Sequence, residues 1–141
     1  MRLTRTVMSP RSVEDVFAYL SDFTTTTEWD PGSVQTTRSS GDGGVGTKYA
    51  NTSRFNGRET SLEYTVVDFV PNARVQLRGE NKTVTAIDTI TVEATPDGTR
   101  VTYDANFTFR GIAAVAVPFL KGAFKRLGDE AEVGLREALS R

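Results

Sequence analysis

The 141-residue chain contains no cysteine and no histidine. The first absence excludes disulfide bonds, thiolate nucleophiles and cysteine metal sites, and the second excludes Ser-His-Asp and Cys-His catalytic systems. Zinc would have to be held by carboxylates alone, which is not its usual ligand set. The sequence therefore argues against hydrolases of these classes, and it predicts neither a metal nor another cofactor.

The sequence also has no excess of charge of one sign and no long apolar run. The 17 Lys and Arg residues are balanced by 18 Asp and Glu residues, so there is no basic field that would hold nucleic acid. The most apolar run, residues 111–120, is interrupted by Pro118 and is too short to cross a bilayer. Residues 1–12 contain no long apolar segment. We expect a cytoplasmic protein with no nucleic-acid partner and no integral membrane association.

The remaining patterns divide the chain into an ordered series of elements. Residues 3–8 alternate as a strand does, and residues 12–22 repeat apolar side chains at helical spacing behind a Ser12–Asp15 capping box. The next ten residues, "FTTTTEWDPG", are poor helix formers and predict at most a short helix that ends before Pro31. Six strand patterns separated by Gly, Pro, Asn or Asp turns then follow at residues 34–38, 47–55, 58–70, 73–79, 83–95 and 99–110.

The C-terminal segment predicts one long helix. Its apolar residues recur every three or four positions from Leu120 to Ala138, and Pro118 suits the first turn of such a helix. Gly122, Gly128 and Gly134 each weaken a helix interior by about 1 kcal/mol relative to alanine. We therefore interpret these glycines as positions of close packing or bending.

This order of elements predicts an α+β fold in a single domain that spans residues 1–141. Short links between the last six strands favour an antiparallel meander, and the strands on either side of Pro96-Asp97-Gly98 should pair directly. A curved seven-stranded antiparallel sheet would bury one face against the long terminal helix, with two short helices between strands 1 and 2. The curvature would leave room between sheet and helix.

Five segments carry a resemblance to a known family, and they are distributed over the whole chain: "SPRSVEDVFAYLSD", "EWDPG", "VGTKY", "DFVPNARVQLRG" and "PDGTRVTYDANF". In this order they resemble the START-like, Bet v 1-like superfamily (SRPBCC), and most closely its polyketide cyclase/dehydrase subgroup. The resemblance implies a helix-grip fold with an elongated pocket between the sheet and the terminal helix. It implies less about activity, because members bind lipids, hormones or polyketides and some catalyse cyclisation or dehydration. The histidines that some members use have no counterpart here.

Aromatic side chains are the main candidates for a ligand site in such a pocket. A filled core explains each of them taken singly, but a curved sheet facing one helix tends to leave unfilled volume. Tyrosine hydroxyls would supply polar groups to a mainly apolar site. The ligand-binding candidates are Trp29, Tyr49, Phe55, Tyr64, Asp88, Tyr103, Phe107 and Phe124.

Asp88 is the one acid in this set and the candidate catalytic residue. Strand side chains alternate with period two, so Asp88 should share a face with Ala86 and Ile90. A buried, unpaired carboxylate is costly, and a raised pKa would suit acid/base work on an enolisable ketone. The alternatives are a strand-edge position, a bulge that turns Asp88 outward, or a pairing with Arg or Lys. Weaker candidates are Glu59, Glu63 and Asp68.

Three functional hypotheses follow. The leading one is a protein that binds a hydrophobic, partly oxygenated small molecule, such as a lipid, polyketide or sterol-like compound. The second is a cofactor-independent cyclase or dehydratase that uses Asp88 and tyrosines. The third is a protein-interaction module that uses the sheet or the terminal helix. A homodimer is a possible assembly for each of them.

Overall fold

The computed structural model describes residues 1–141 and confirms the α+β helix-grip architecture. The elements in chain order are β1 (Arg2–Ser9), α1 (Val13–Ser21), α2 (Thr26–Trp29), β2 (Ser33–Ser40), β3 (Lys48–Phe55), β4 (Arg58–Val70), β5 (Arg74–Glu80), β6 (Val84–Thr95), β7 (Gly98–Phe109), α3 (Ile112–Ala116) and α4 (Lys121–Leu139). Two short 3-10 turns, Phe23–Thr25 and Val117–Phe119, precede α2 and α4. The two predicted helices between the first two strands are α1 and α2.

All seven strands form one antiparallel sheet in the order β1-β7-β6-β5-β4-β3-β2. The six strands after α2 form the predicted meander, and β6 pairs directly with β7 through the Pro96-Asp97 turn. β1 adds to the other side of β7, so the consecutive strands β1 and β2 lie at opposite edges of the sheet. The chain that joins them crosses one face of the sheet, where α1 contacts β6 and β7 and α2 contacts β2.

Helix α1 begins as its sequence predicts. The Ser12 hydroxyl accepts a hydrogen bond from the backbone N–H of Asp15, 3.2 Å away, and so satisfies one of the donors that a helix start leaves unpaired. Val16, Phe17 and Leu20 form the buried face of the helix. This face packs on the inner side of the sheet, against β6 and β7, and covers part of the core.

The segment before the terminal helix differs from the sequence prediction. Pro118 does not lie in the first turn of the long helix, because α3 and a separate 3-10 turn come first and α4 begins at Lys121. Proline has no N–H and a fixed φ, so it fits the start of this short turn, where no donor is required. Ile112 and Phe119 in this segment are 90% and 87% exposed, so the most apolar run of the chain is not its most buried one.

Helix α4 approaches the end of α2 very closely at Gly134. A Cβ atom built on Gly134 would lie 1.8 Å from the carbonyl oxygen of Trp29, and one built on Gly128 would lie 2.8 Å from the guanidinium group of Arg5. No side chain fits at the first position. The interpretation of the helix glycines as points of close packing is therefore correct for Gly128 and Gly134, and it is wrong for Gly122, where a Cβ would meet nothing within 4 Å.

We expect Gly134→Ala to lower the free energy of unfolding by about 1–3 kcal/mol. The helix propensity of alanine favours the variant by about 1 kcal/mol, but the added Cβ must push α4 away from Trp29. Urea unfolding followed by circular dichroism measures the difference. The control is Gly122→Ala, because a Cβ there meets nothing within 4 Å, and it should be neutral or stabilising. A Gly134→Ala variant as stable as the wild type would contradict the packing argument.

Candidate functional site

A cavity of about 170 Å³ lies between the inner face of the sheet and α4. Strands β3, β4, β6 and β7 line it on one side, and α4 lines it on the other through Phe124, Leu127, Gly128 and Ala131. Most of the lining side chains are apolar, and a few polar groups come from the strands and from the turn after α2. Apolar walls with a small number of convergent polar groups are the usual composition of a small-molecule site.

Seven of the eight ligand-binding candidates line this cavity, namely Trp29, Phe55, Tyr64, Asp88, Tyr103, Phe107 and Phe124. Tyr49 does not. It is 1% exposed and lies in the core, where its ring packs 5.9 Å from that of Phe23. Phe23 lines the cavity in addition to packing on Tyr49, although the sequence did not indicate it as a site residue. The segment between α1 and α2 thus contributes an aromatic side chain to the cavity that the strand pattern does not predict.

Asp88 points inward from the middle of β6. It is 3% exposed and lies in register between Leu77 of β5 and Ala105 of β7. Its Oδ2 atom accepts a hydrogen bond from the Tyr103 hydroxyl at 3.4 Å, whereas its Oδ1 atom has no partner. The carboxyl group is therefore buried in a cavity wall with one weak hydrogen bond.

None of the three alternatives for Asp88 matches the structure. The strand β6 is in the interior of the sheet, and its pairing with β5 and β7 contains no bulge. The ion pairs of the structure involve other acids. The inward orientation expected from alternation is the one observed.

A second acid of the cavity, Asp30, was missed by the sequence analysis. It follows Trp29 at the end of α2, where its Oδ1 atom accepts the backbone N–H of Gly32 at 3.0 Å and its Oδ2 atom accepts the hydroxyl of Ser33 at 3.1 Å. The Asp-Pro-Gly sequence is a turn signal and predicts this local bonding. This turn signal does not predict that Asp30 lines the cavity, because it is the packing of α2 on α4 that brings the turn to the cavity.

The electrostatics of the cavity follow from these two acids. Burial raises the pKa of Asp88 to about 7, and the charge of Asp30 adds to the shift, while the hydrogen bond from Tyr103 opposes it. Burial also raises the pKa of Asp30. The pKa values of Tyr64 and Tyr103 lie well above their usual value, first through burial and then through the charge of Asp88. Both tyrosines remain protonated at neutral pH and can donate hydrogen bonds.

The weaker acidic candidates lie outside the cavity, each in a pair with a base. Glu59 pairs with Arg54 at 2.8 Å. The other two pairs are Glu63 with Lys48 at 3.2 Å and Asp68 with Arg74 at 2.6 Å. Their register turns them to the outer face of the sheet, where water screens their charge. No group of three or more acids approaches closely enough to hold a metal ion.

Four phenylalanines form one apolar wall of the cavity. The ring centroid of Phe124 on α4 lies 4.5 Å from that of Phe55 on β3 and 5.5 Å from those of Phe107 and Phe109 on β7. Such pairs contribute about 0.5–1.5 kcal/mol each beyond the burial of their area. This phenylalanine wall ties α4 to two strands that are far apart in the sheet.

The family model for polyketide cyclase/dehydrase and lipid transport proteins matches residues 1–139. The chain belongs to this family. A comparison with curated protein sequences found no match. None of the helices of this family member is long and apolar enough to cross a membrane.

Solved structures with the same fold include an aromatase/cyclase and a di-domain ARO/CYC protein. The Zhui aromatase/cyclase from Streptomyces sp. R1128 is similar with a TM-score of 0.82 at 12% identity, over 99% of this chain and 93% of that one. A START superfamily protein from Mycobacterium smegmatis gives a TM-score of 0.80 at 14% identity, over 98% of this chain and 96% of that one. The di-domain ARO/CYC BexL from the BE-7585A biosynthetic pathway gives 0.75 at 14% identity, and this chain covers half of it. At these identities the likeness establishes the fold.

The raised pKa of Asp88 predicts a pH-dependent stability. The folded chain holds this proton up to about pH 7, and the unfolded chain releases it near 3.8. Asp88 therefore lowers the free energy of unfolding as the pH rises between these values, by up to about 1.4 kcal/mol per pH unit. We expect Asp88→Asn to be more stable than the wild type at about pH 8, and the difference to shrink toward pH 4.

Urea unfolding at several pH values measures this difference. The groups that face Asp88 are Tyr103 of β7, Tyr64 of β4 and Asp30 of the turn after α2, and all three are unchanged in the variant. The control is Asp97→Asn in the exposed hairpin turn, which should keep the pH dependence of the wild type. Parallel stability curves for Asp88→Asn and the wild type would show that Asp88 ionises normally.

Proposed function

We propose that this protein binds a small hydrophobic, partly oxygenated molecule in the cavity between the sheet and α4. The observation that carries the proposal is the cavity itself, whose walls are mainly aromatic and aliphatic and which contains a buried carboxyl oxygen without a partner. Apolar contact would supply most of the affinity, and Asp88 with the two tyrosines would orient the ligand. The family description, which joins polyketide chemistry with lipid transport, supports the same class of ligand.

The size of the cavity sets the size of the ligand. At about 170 Å³ it is smaller than the roughly 300–1,000 Å³ of sites for drug-sized ligands. A fused two-ring aromatic compound or a short branched chain suits this volume better than a complete sterol. We therefore expect the ligand, or the part of it that enters the cavity, to be small.

Native mass spectrometry of freshly purified protein tests the proposal, and we expect a retained small molecule. Ala105→Leu should lose that molecule, because Ala105 lines the cavity beside Asp88 and a larger side chain would fill it. Thr108→Leu is the matched control, since Thr108 is exposed on the same strand and should keep the ligand. If the wild type carries no ligand, titration with naphthalene provides the second test. A bare protein that also fails to bind naphthalene would overturn the proposal.

Asp88 favours a second candidate function, a cyclase or dehydratase that works by acid/base chemistry. A carboxyl group with a pKa of about 7, 3.4 Å from a tyrosine hydroxyl, is matched to proton transfer at neutral pH. The Asp88 carboxylate would take a proton from the carbon next to a ketone, and a protonated tyrosine would donate a hydrogen bond to the ketone oxygen. No cofactor takes part in such a step.

Hydrogen exchange of 2-tetralone in D₂O tests this second function. We expect the protein to accelerate loss of the protons next to the carbonyl, as followed by NMR, and Asp88→Asn to reduce the acceleration by about 100-fold or more. The rate should rise as the pH passes about 7, because the ionised carboxylate is the base. Equal rates in Asp88→Asn and the wild type would remove Asp88 from the mechanism and leave the binding function in place.

A further inference from the structure

We infer that the cavity selects neutral ligands that carry a hydroxyl group and discriminates against carboxylate ligands of the same shape. The inference rests on the proposed function and adds a ligand class to it. It is carried by the unpartnered Oδ1 atom of Asp88, by the second carboxyl group of Asp30 in the same cavity, and by the position of the one base in the lining.

The two acids differ in whether a carboxyl oxygen is still free to accept a hydrogen bond from a ligand. Both carboxyl oxygens of Asp30 already accept hydrogen bonds, from Gly32 and Ser33. Asp88 uses only Oδ2, for the bond from Tyr103, and its Oδ1 atom is buried with no donor nearby. A buried acceptor that lacks a donor costs free energy, which a ligand hydroxyl recovers by donating to it. An ionised carboxylate has no proton to donate and would add a third acid to the cavity.

The basic side chain of the cavity does not compensate for these acids. Arg54 is the only Lys or Arg residue among the lining residues. Its guanidinium group pairs with Glu59 at 2.8 Å, and its side chain is 61% exposed. The positive charge therefore lies at the solvent side and is already neutralised by a partner, so it does not offset the repulsion that an anionic ligand meets beside Asp88.

A hydroxyl group also suits the indole of Trp29. The Trp29 Nε1–H is buried without an acceptor, and its ring stacks edge-to-face on Tyr103 with centroids 5.4 Å apart. Tyr103 in turn donates to Asp88, so the unpaired donor and the unpaired acceptor belong to two cavity-lining side chains that both contact Tyr103. A hydroxyl both donates and accepts hydrogen bonds, and it is therefore the simplest group that complements both side chains.

Three ligands with the same ring system test the inference, namely naphthalene, 2-naphthol and 2-naphthoate, at about pH 8, where 2-naphthol is neutral and 2-naphthoate is an anion. Trp29 is the only tryptophan of the chain, so its single indole N–H signal in a ¹H–¹⁵N NMR titration reports binding in the cavity. We expect 2-naphthol to bind about tenfold or more tightly than 2-naphthoate. In Asp88→Asn, which keeps the size of the side chain and removes its charge, this ratio should fall severalfold.

The outcomes separate the inference from the function on which it rests. Binding of 2-naphthoate as tight as that of 2-naphthol, with naphthalene also bound, would overturn the ligand class and leave the cavity function intact. Failure of all three compounds to bind would overturn both. The control Glu63→Gln changes an acid outside the cavity whose partner, Lys48, does not line the cavity either, and it should preserve the ratio. An unchanged ratio in Asp88→Asn would show that Asp88 does not select the ligand.

Discussion

The close contact between Gly134 and the carbonyl group of Trp29 fixes the distance between α4 and the helical segment that crosses the sheet. Two further close approaches continue along the same helix, where a Cβ on Gly32 would lie 3.0 Å from Leu127 and a Cβ on Gly128 would meet Arg5. Together these contacts place α4 against the turn after α2 and against β1. The volume of the cavity is what remains between the helix so placed and the inner face of the sheet.

Features that depend on local periodicity could be predicted from the sequence, and features that depend on packing could not. Alternation in β6 correctly predicted that Asp88 points inward, since one face of a central strand must be buried. Tyr49 points inward, as the alternation of β3 predicts, but it packs against Phe23 in the core and does not line the cavity. Asp30 was missed because its turn signal explains its local hydrogen bonds completely. The predicted start of the long helix at Pro118 was too early, since proline suits the start of the 3-10 turn that precedes α4 as well as the start of α4 itself.

One group in the cavity, the buried carboxyl group of Asp88, lowers the stability of the folded chain. A carboxyl group on a central strand, with a neighbouring acid and no base, is an arrangement that natural proteins retain mainly at functional sites. Twenty-two buried apolar residues in one cluster and seven paired strands provide the stability that offsets it. The fold is shared with proteins of 12–14% identity, whereas activity depends on which polar groups a given chain places inside. In this chain those groups include two acids, two tyrosines and one indole.

The absence of histidine also affects how proton exchange in the cavity can be measured. Histidine is the side chain that ordinarily exchanges protons near neutral pH, and in most proteins several such residues obscure the titration of any one site. Here burial raises the pKa of two carboxyl groups, that of Asp88 to about 7 and that of Asp30 above its usual value. The heat of ligand binding, compared in buffers with different ionisation enthalpies, would therefore report the protons that enter or leave these two acids of the cavity.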